Sequence, residues 1–130
     1  MKENMKVLTL IIKQKWFNEI ISGEKTEEYR DVTPTMVKRY LELDEEGFEK
    51  EDENGNSIPI RYDAIRFFVG YNKNRDEALV EVLDAYTEIF VDEDGQAITF
   101  PDRNDRGEDI VWVAQQVVYR LGKILEVKRK

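Results

Sequence analysis

Strand-like alternation of apolar and polar residues runs through most of this chain and limits what it can fold into. Ile58 to Tyr71 reads as a long strand, with Ile65, Phe67, Val69 and Tyr71 on one face and Tyr62, Ala64, Arg66 and Phe68 on the other. Leu79 to Val91 predicts a further strand, and Ala97 to Phe100 its hairpin partner across Asp94-Gly95. Val117, Tyr119, Leu121, Leu125 and Val127 alternate through a last one, whose face Lys123 interrupts. Val7 to Ile12 is short and rich in β-branched residues, which suits a buried strand better than a helix. At 130 residues the chain has the usual size of one domain, and residues 1–130 are read as one. No internal repeat or linker is visible.

Helical spacing occurs in two short stretches. Trp16, Phe17, Ile20 and Ile21 mark one face of an amphipathic helix, and Gly23 is placed to end it, because its missing Cβ tolerates the left-handed backbone of a helix stop. Thr33-Pro34 forms a suitable cap and first-turn pair for a second helix, which Met36, Val37, Tyr40 and Leu41 carry to about Leu43. Many strands with two or three short helices predict an α+β fold: a small β-barrel or curled mixed sheet with helices packed at its openings. Pro101 to Asp109 is polar and reads as a loop or lid.

The chain contains no cysteine and no histidine. That excludes disulfides, thiolate nucleophiles, CxxC redox pairs and cysteine-ligated zinc, and it removes the commonest metal ligand. Neither a metal nor a cofactor is expected, so acid–base chemistry falls to carboxylates, Lys, Tyr or water. The apolar run at Val7 is too short to span a bilayer, so a cytoplasmic location without membrane association is expected.

Net charge is −8, yet the acid is concentrated. Residues 41–56 hold eight carboxylates against one lysine, and residues 87–109 hold eight against two arginines. Both stretches are rich in turn formers, at 52–56 and 92–95, and read as solvated hairpin tips. They could also engage a basic protein partner, although solubility alone accounts for such charge. Asp52-x-Asn54-x-Asn56 begins like a calcium loop but has Ser57 where that loop requires glycine, and a hairpin turn is the stronger reading. The rest of the chain is near neutral or basic, and Lys123, Lys128, Arg129 and Lys130 make a basic end that could extend a phosphate-binding surface, with a frayed, solvated tail as the stronger reading.

Function concentrates between Gly23 and Arg30. Lys25, Thr26, Glu28 and Arg30 bring a cation, a hydroxyl, a carboxylate and a guanidinium onto eight residues that follow a helix stop. In an extended strand, Thr26, Glu28 and Arg30 would share one face and one polar environment. The same residues are also compatible with a Glu28–Arg30 pair on an exposed edge strand that Lys25 blunts.

Gly23, Lys25, Thr26, Glu28 and Arg30 match, spacing included, the G-x-K-T-x-E-x-R signature of the ASCH family, a member of the PUA-like superfamily. Leu10 to Trp16 and Ile20 to Ser22 resemble that family's opening strand and helix. The resemblance is sharp over about residues 6–31 and is one of pattern beyond. It implies a PUA-like barrel with helices, and a cleft lined by the signature strand that holds RNA, a nucleotide or a modified nucleoside.

In such a cleft Lys25 and Arg30 would donate to phosphate or a base edge, and Glu28 would accept from an exocyclic amine. Trp16, Tyr29 and Phe68 are candidate stacking partners, and Arg66 is a further candidate for the cleft. One branch of the family resembles an amidohydrolase of N4-acetylcytidine, with the motif lysine, a nearby threonine and a downstream glutamate as its catalytic groups. Lys25 matches. Glu28 stands where that branch carries its threonine, and Glu81 is the candidate for the downstream glutamate. On this alternative a desolvated Lys25 would serve as base for Thr26 or water, and Arg30 would stabilise the oxyanion.

Overall fold

The computed structural model describes residues 4–104 and 106–130. The described chain is α+β and mostly strand: β1 (Val7–Ile12), α1 (Gln14–Ser22), β2 (Glu27–Asp31), α2 (Val37–Tyr40), β3 (Ala64–Val69), β4 (Glu77–Ile89), β5 (Thr99–Arg103), β6 (Asp109–Val113) and β7 (Gln115–Lys128). Five strands follow the order β1-β3-β4-β7-β2 in a curled mixed sheet, not the closed barrel of the alternative expectation, and β5 pairs with β6 separately. Two compact units divide the chain. One comprises residues 1–28, 61–84 and 119–130, the other residues 29–60 and 85–118. Among the described residues no helix is long and apolar enough to cross a membrane.

In the first unit, β1 runs parallel to β3 and β3 antiparallel to β4. The register aligns Leu8 with Ile65 and Val80, and Leu10 with Phe67 and Ala78. These six side chains share one face and are all buried. The opposite face carries Arg66 beside Leu79, Phe68 beside Glu77, and Ala64 beside Glu81. Helix α1 buries Phe17 and Ile20, as its spacing predicts, and leaves Trp16 39% exposed.

The basic C-terminal residues are docked rather than free. Asp76, buried, accepts the Lys130 backbone N–H at 2.9 Å and Gln14 Nε2 at 3.0 Å, and Arg129 Nε lies 3.3 Å from the same carboxylate.

The second unit contains a repeat that the sequence reading does not find. Glu42 N–H donates to Ile58 O, Lys50 N–H to Glu42 O, and Ile58 N–H to Lys50 O, closing a triangle of backbone bonds. Phe90, Ile98 and Ala114 close a second triangle in the same sense: Phe90 N–H to Ala114 O, Ile98 N–H to Phe90 O, and Ala114 N–H to Ile98 O.

Each side that is continuous in sequence is a hairpin, and the four tips share one geometry. Asp44, Asp52, Asp92 and Asn104 each accept, through Oδ1, the backbone N–H groups two and four residues on. Glycine follows three residues later with φ between 78° and 90°, a backbone that only glycine adopts at no steric cost. The tips at 52–56 and 92–95 are therefore hairpins, as predicted. The repeat is hidden because the fourth hairpin is lengthened by β5 and β6.

Those strands also shorten the loop or lid read over residues 101–109, since residues 101–103 and 109 are strand and a tight turn lies between them. Pro101 pairs with Val111 and Arg103 with Asp109, while Asp105 lies outside the described residues. Two further expectations shrink. The second helix is a single turn, with Thr33 in the turn that precedes it, not at its cap. The strand expected over residues 58–71 is regular only from Ala64 to Val69, and Tyr71 lies exposed beyond Gly70.

The Lys130 backbone N–H, then Gln14, then the charges of Arg129 and Lys130 hold the Asp76 carboxyl below its ordinary value of 3.8, against the opposing effect of burial. A depressed folded value stabilises the protein above the ordinary value, and this contribution is lost as pH falls through the folded value. Asp76→Asn is therefore expected to lower the thermal midpoint near neutral pH and to converge on wild type in strong acid. Thermal melts of both proteins from neutral pH to about pH 2 check this.

Candidate functional site

The helix stop at Gly23 sets the position of the signature residues. Gly23 adopts φ 86°, and its N–H returns to Ile20 O at 3.2 Å. Two residues on, Lys25 N–H donates to Glu19 O at 3.0 Å. Carbonyls that a helix end would otherwise leave unsatisfied are thus met, and the backbone of Lys25 is tied to α1. Thr26 O then accepts the Leu121 N–H at 2.9 Å, joining this turn to β7.

Lys25 turns toward Glu28. Its Nζ lies 3.4 Å from Glu28 Oε1, and the two side chains are 16% and 6% exposed. Together with Asp76 and Gln115, Glu28 is one of three polar residues buried among the described residues. A carboxylate out of water requires a nearby cation or donors, and Lys25 meets that need. The Lys25 Nζ also lies 5.6 Å from the Trp16 ring centroid, and Lys15 Nζ 4.4 Å from it, so the exposed indole meets two ammonium groups.

Beside this pair is a cavity of about 330 Å³. Gly23, Lys25 and Thr26 line one side, Leu121 and Lys123 of β7 another, and Val80 lies on its apolar wall. Ammonium groups, hydroxyls and aliphatic surface thus border one space. The second unit has a groove of its own, about 680 Å³, lined by Phe48, Val111 and Trp112 with Glu45, Glu46 and Arg106.

The structure brings together Gly23, Lys25, Thr26 and Glu28, with Trp16 against the lysine. It does not give Thr26, Glu28 and Arg30 one environment: Thr26 is exposed, Glu28 buried and Arg30 half-buried. The regular strand begins only at Glu27, so Thr26 lies outside the pleat that the alternation assumes. Arg30 lies on β2 within the second unit, and Tyr29 is exposed.

Arg66 and Glu81 lie elsewhere. Arg66 spans two carboxylates, with Nη1 3.0 Å from Glu77 Oε2 and Nη2 3.5 Å from Glu126 Oε1. Phe68 lies on the same strand face, under the Arg75 guanidinium at 3.8 Å. Glu81 accepts the Lys123 backbone N–H at 3.2 Å. Register places Arg66 and Glu81 on the sheet face opposite Val80, and neither lines the cavity. The amidohydrolase alternative would need Glu81 beside Lys25.

Sequence reading groups Lys123 with the basic end and favours a solvated tail there, whereas the structure places it in the lining of the cavity. Among the described residues no cluster of three or more carboxylates gathers to hold a metal ion. Comparison with family models, curated proteins and solved structures finds no match to this chain.

The Lys25–Glu28 pair is testable by a double-mutant cycle. Lys25→Ala is expected to destabilise wild type more than it destabilises a Glu28→Gln background, with a coupling of about 1 kcal/mol. Urea unfolding of the four proteins measures it, and additive effects would contradict the pairing.

Proposed function

We propose that this chain is an ASCH-like binding domain that accepts one nucleoside or nucleotide, free or as an unpaired residue of RNA, in the cavity beside Lys25. The observation that carries the reading is the cavity itself, which opens at the Gly23–Thr26 turn, where Gly23, Lys25 and Thr26 of the G-x-K-T-x-E-x-R pattern line it. Its volume of about 330 Å³ is at the small end of ligand sites, which suits a single base with its sugar and not a duplex.

The parts have complementary roles. Val80 and Leu121 offer apolar contact to a base, Thr26 a hydroxyl, and Lys25 a donor whose position Glu28 steadies. Trp16, exposed and flanked by two lysines, offers an indole face for stacking next to the turn. Concentration of acid in the hairpin stretches of the second unit leaves the lining of this cavity without a carboxylate.

The test is a low-salt titration of the ribonucleosides, N4-acetylcytidine and short single-stranded RNA, followed by calorimetry and by Trp16 emission. Wild type is expected to bind at least one of them, and Lys25→Gln to weaken that binding about tenfold or more. Thermal melts confirm that the variant is folded. Absence of binding by folded wild type to every ligand rejects the reading.

A further inference from the structure

We propose that Lys123 is a phosphate-binding residue and that the cavity's preferred ligand is a nucleoside monophosphate, an inference that rests on the nucleoside reading above. In a chain of net charge −8, the cavity lining contains two lysines, Lys25 and Lys123, with Ser22 and Thr26, and no carboxylate. Such a lining attracts anions and repels nothing that carries a phosphate.

The two lysines are not equivalent. The charge of Lys25 is answered by the buried carboxylate of Glu28 at 3.4 Å. Among the described residues, the ammonium of Lys123 has no carboxylate within ion-pair distance, and its side chain is exposed. Lys25 and Glu28 together add no net charge, Glu24 accepts from the Ser22 hydroxyl at 3.1 Å and Glu81 from the Lys123 backbone, so Lys123 offers the one ammonium of the lining that no carboxylate pairs among the described residues. An exposed ammonium at the mouth of a partly apolar cavity suits a phosphate that remains hydrated while the base enters.

The backbone at this point is built to hold Lys123 in place. Its N–H donates to Glu81 Oε1 at 3.2 Å. A Cβ on Gly122 would stand 2.4 Å from that oxygen and 2.9 Å from Leu83 Cδ2. The bare glycine therefore admits the Glu81 carboxylate to the strand. Strand alternation places the Lys123 side chain with Leu121, on the cavity side, and Gly122 toward Glu81. Glu81 is thus a positioning residue: it fixes the backbone from the far face and leaves the ammonium to the ligand.

Calorimetric titration of the four common ribonucleosides and their 5′-monophosphates tests this, with wild type, Lys123→Gln and Glu81→Gln. Wild type is expected to bind at least one monophosphate about tenfold more tightly than its nucleoside at low salt, with the difference shrinking as salt is added. Lys123→Gln should bring the ratio near one, with thermal melts confirming that the variant is folded. Glu81→Gln, whose amide oxygen still accepts from Lys123 N–H, should retain the ratio.

Equal affinity of wild type for nucleoside and monophosphate, or a ratio that survives Lys123→Gln, overturns the inference and leaves the nucleoside reading standing. Absence of binding by either class overturns both. Affinity that continues to climb with the length of a single-stranded RNA, with no gain from the first phosphate, also overturns it.

Discussion

A glutamate that is 5% exposed, in a unit whose other buried side chains, Asp76 apart, are aliphatic or aromatic, sets conditions on everything around it. Removing a carboxylate from water costs several kcal/mol unless charge and donors replace the hydration. Lys25 supplies that charge across one turn of chain, and it can do so because its backbone N–H is tied to Glu19 O after the left-handed Gly23 ends α1. Helix stop, lysine and glutamate thus form one device. The turn is joined to β7 through Thr26 O, and a small cavity is bordered by the end of α1, this turn and residues 121–124 of β7. A feature that first reads as surface charge is a buried ion pair at the border of a cavity.

The second unit solves a different problem. Its segments are too short and too polar for a large core, and they are held largely by backbone hydrogen bonds closed into triangles and by Asx-capped tips. Asp44, Asp52 and Asp92 are structural acceptors, each satisfying two backbone N–H groups. Part of the chain's acidity is therefore the chemistry of its turns. Asn104 does the same work without charge. What makes the tips alike is an oxygen on a short side chain followed three residues later by glycine.

Local rules reveal local structure here. β1 and the helix stop at Gly23 are legible because a β-branched run and an amphipathic stretch ending in glycine each have one good local solution. The Thr33-Pro34 signal misleads, since a cap and a first-turn proline permit a helix but do not supply the packing that extends it beyond Tyr40. Residues 101–109 look like a loop because Pro101, Asp102 and Arg103 lack alternation, yet cross-strand pairing with residues 109–113 holds them extended.

The candidate site divides in the same way. Gly23, Lys25, Thr26 and Glu28 are neighbours in sequence and meet. Arg66 and Glu81 depend on the face that each strand turns to α1, and a register is a property of strand pairs that no single segment encodes. Lys123 is visible in the sequence only as one charge of a basic end, with nothing to tie it to the signature turn. On its own strand it is a flaw in an apolar face, and it acquires meaning only when β7 is laid against the Lys25 turn.

The turn carrying Lys25 and Glu28 borders a cavity that it shares with β7, and the proposal of a nucleotide there is open to direct test. Amide chemical shifts of isotopically labelled protein, recorded while cytidine 5′-monophosphate is added, address it residue by residue. Saturable shifts are expected to cluster at Gly23, Lys25, Thr26, Gly122 and Lys123 and to spare the hairpin tips of the second unit. Shifts confined to that second unit, or none at saturating ligand, would contradict the proposal.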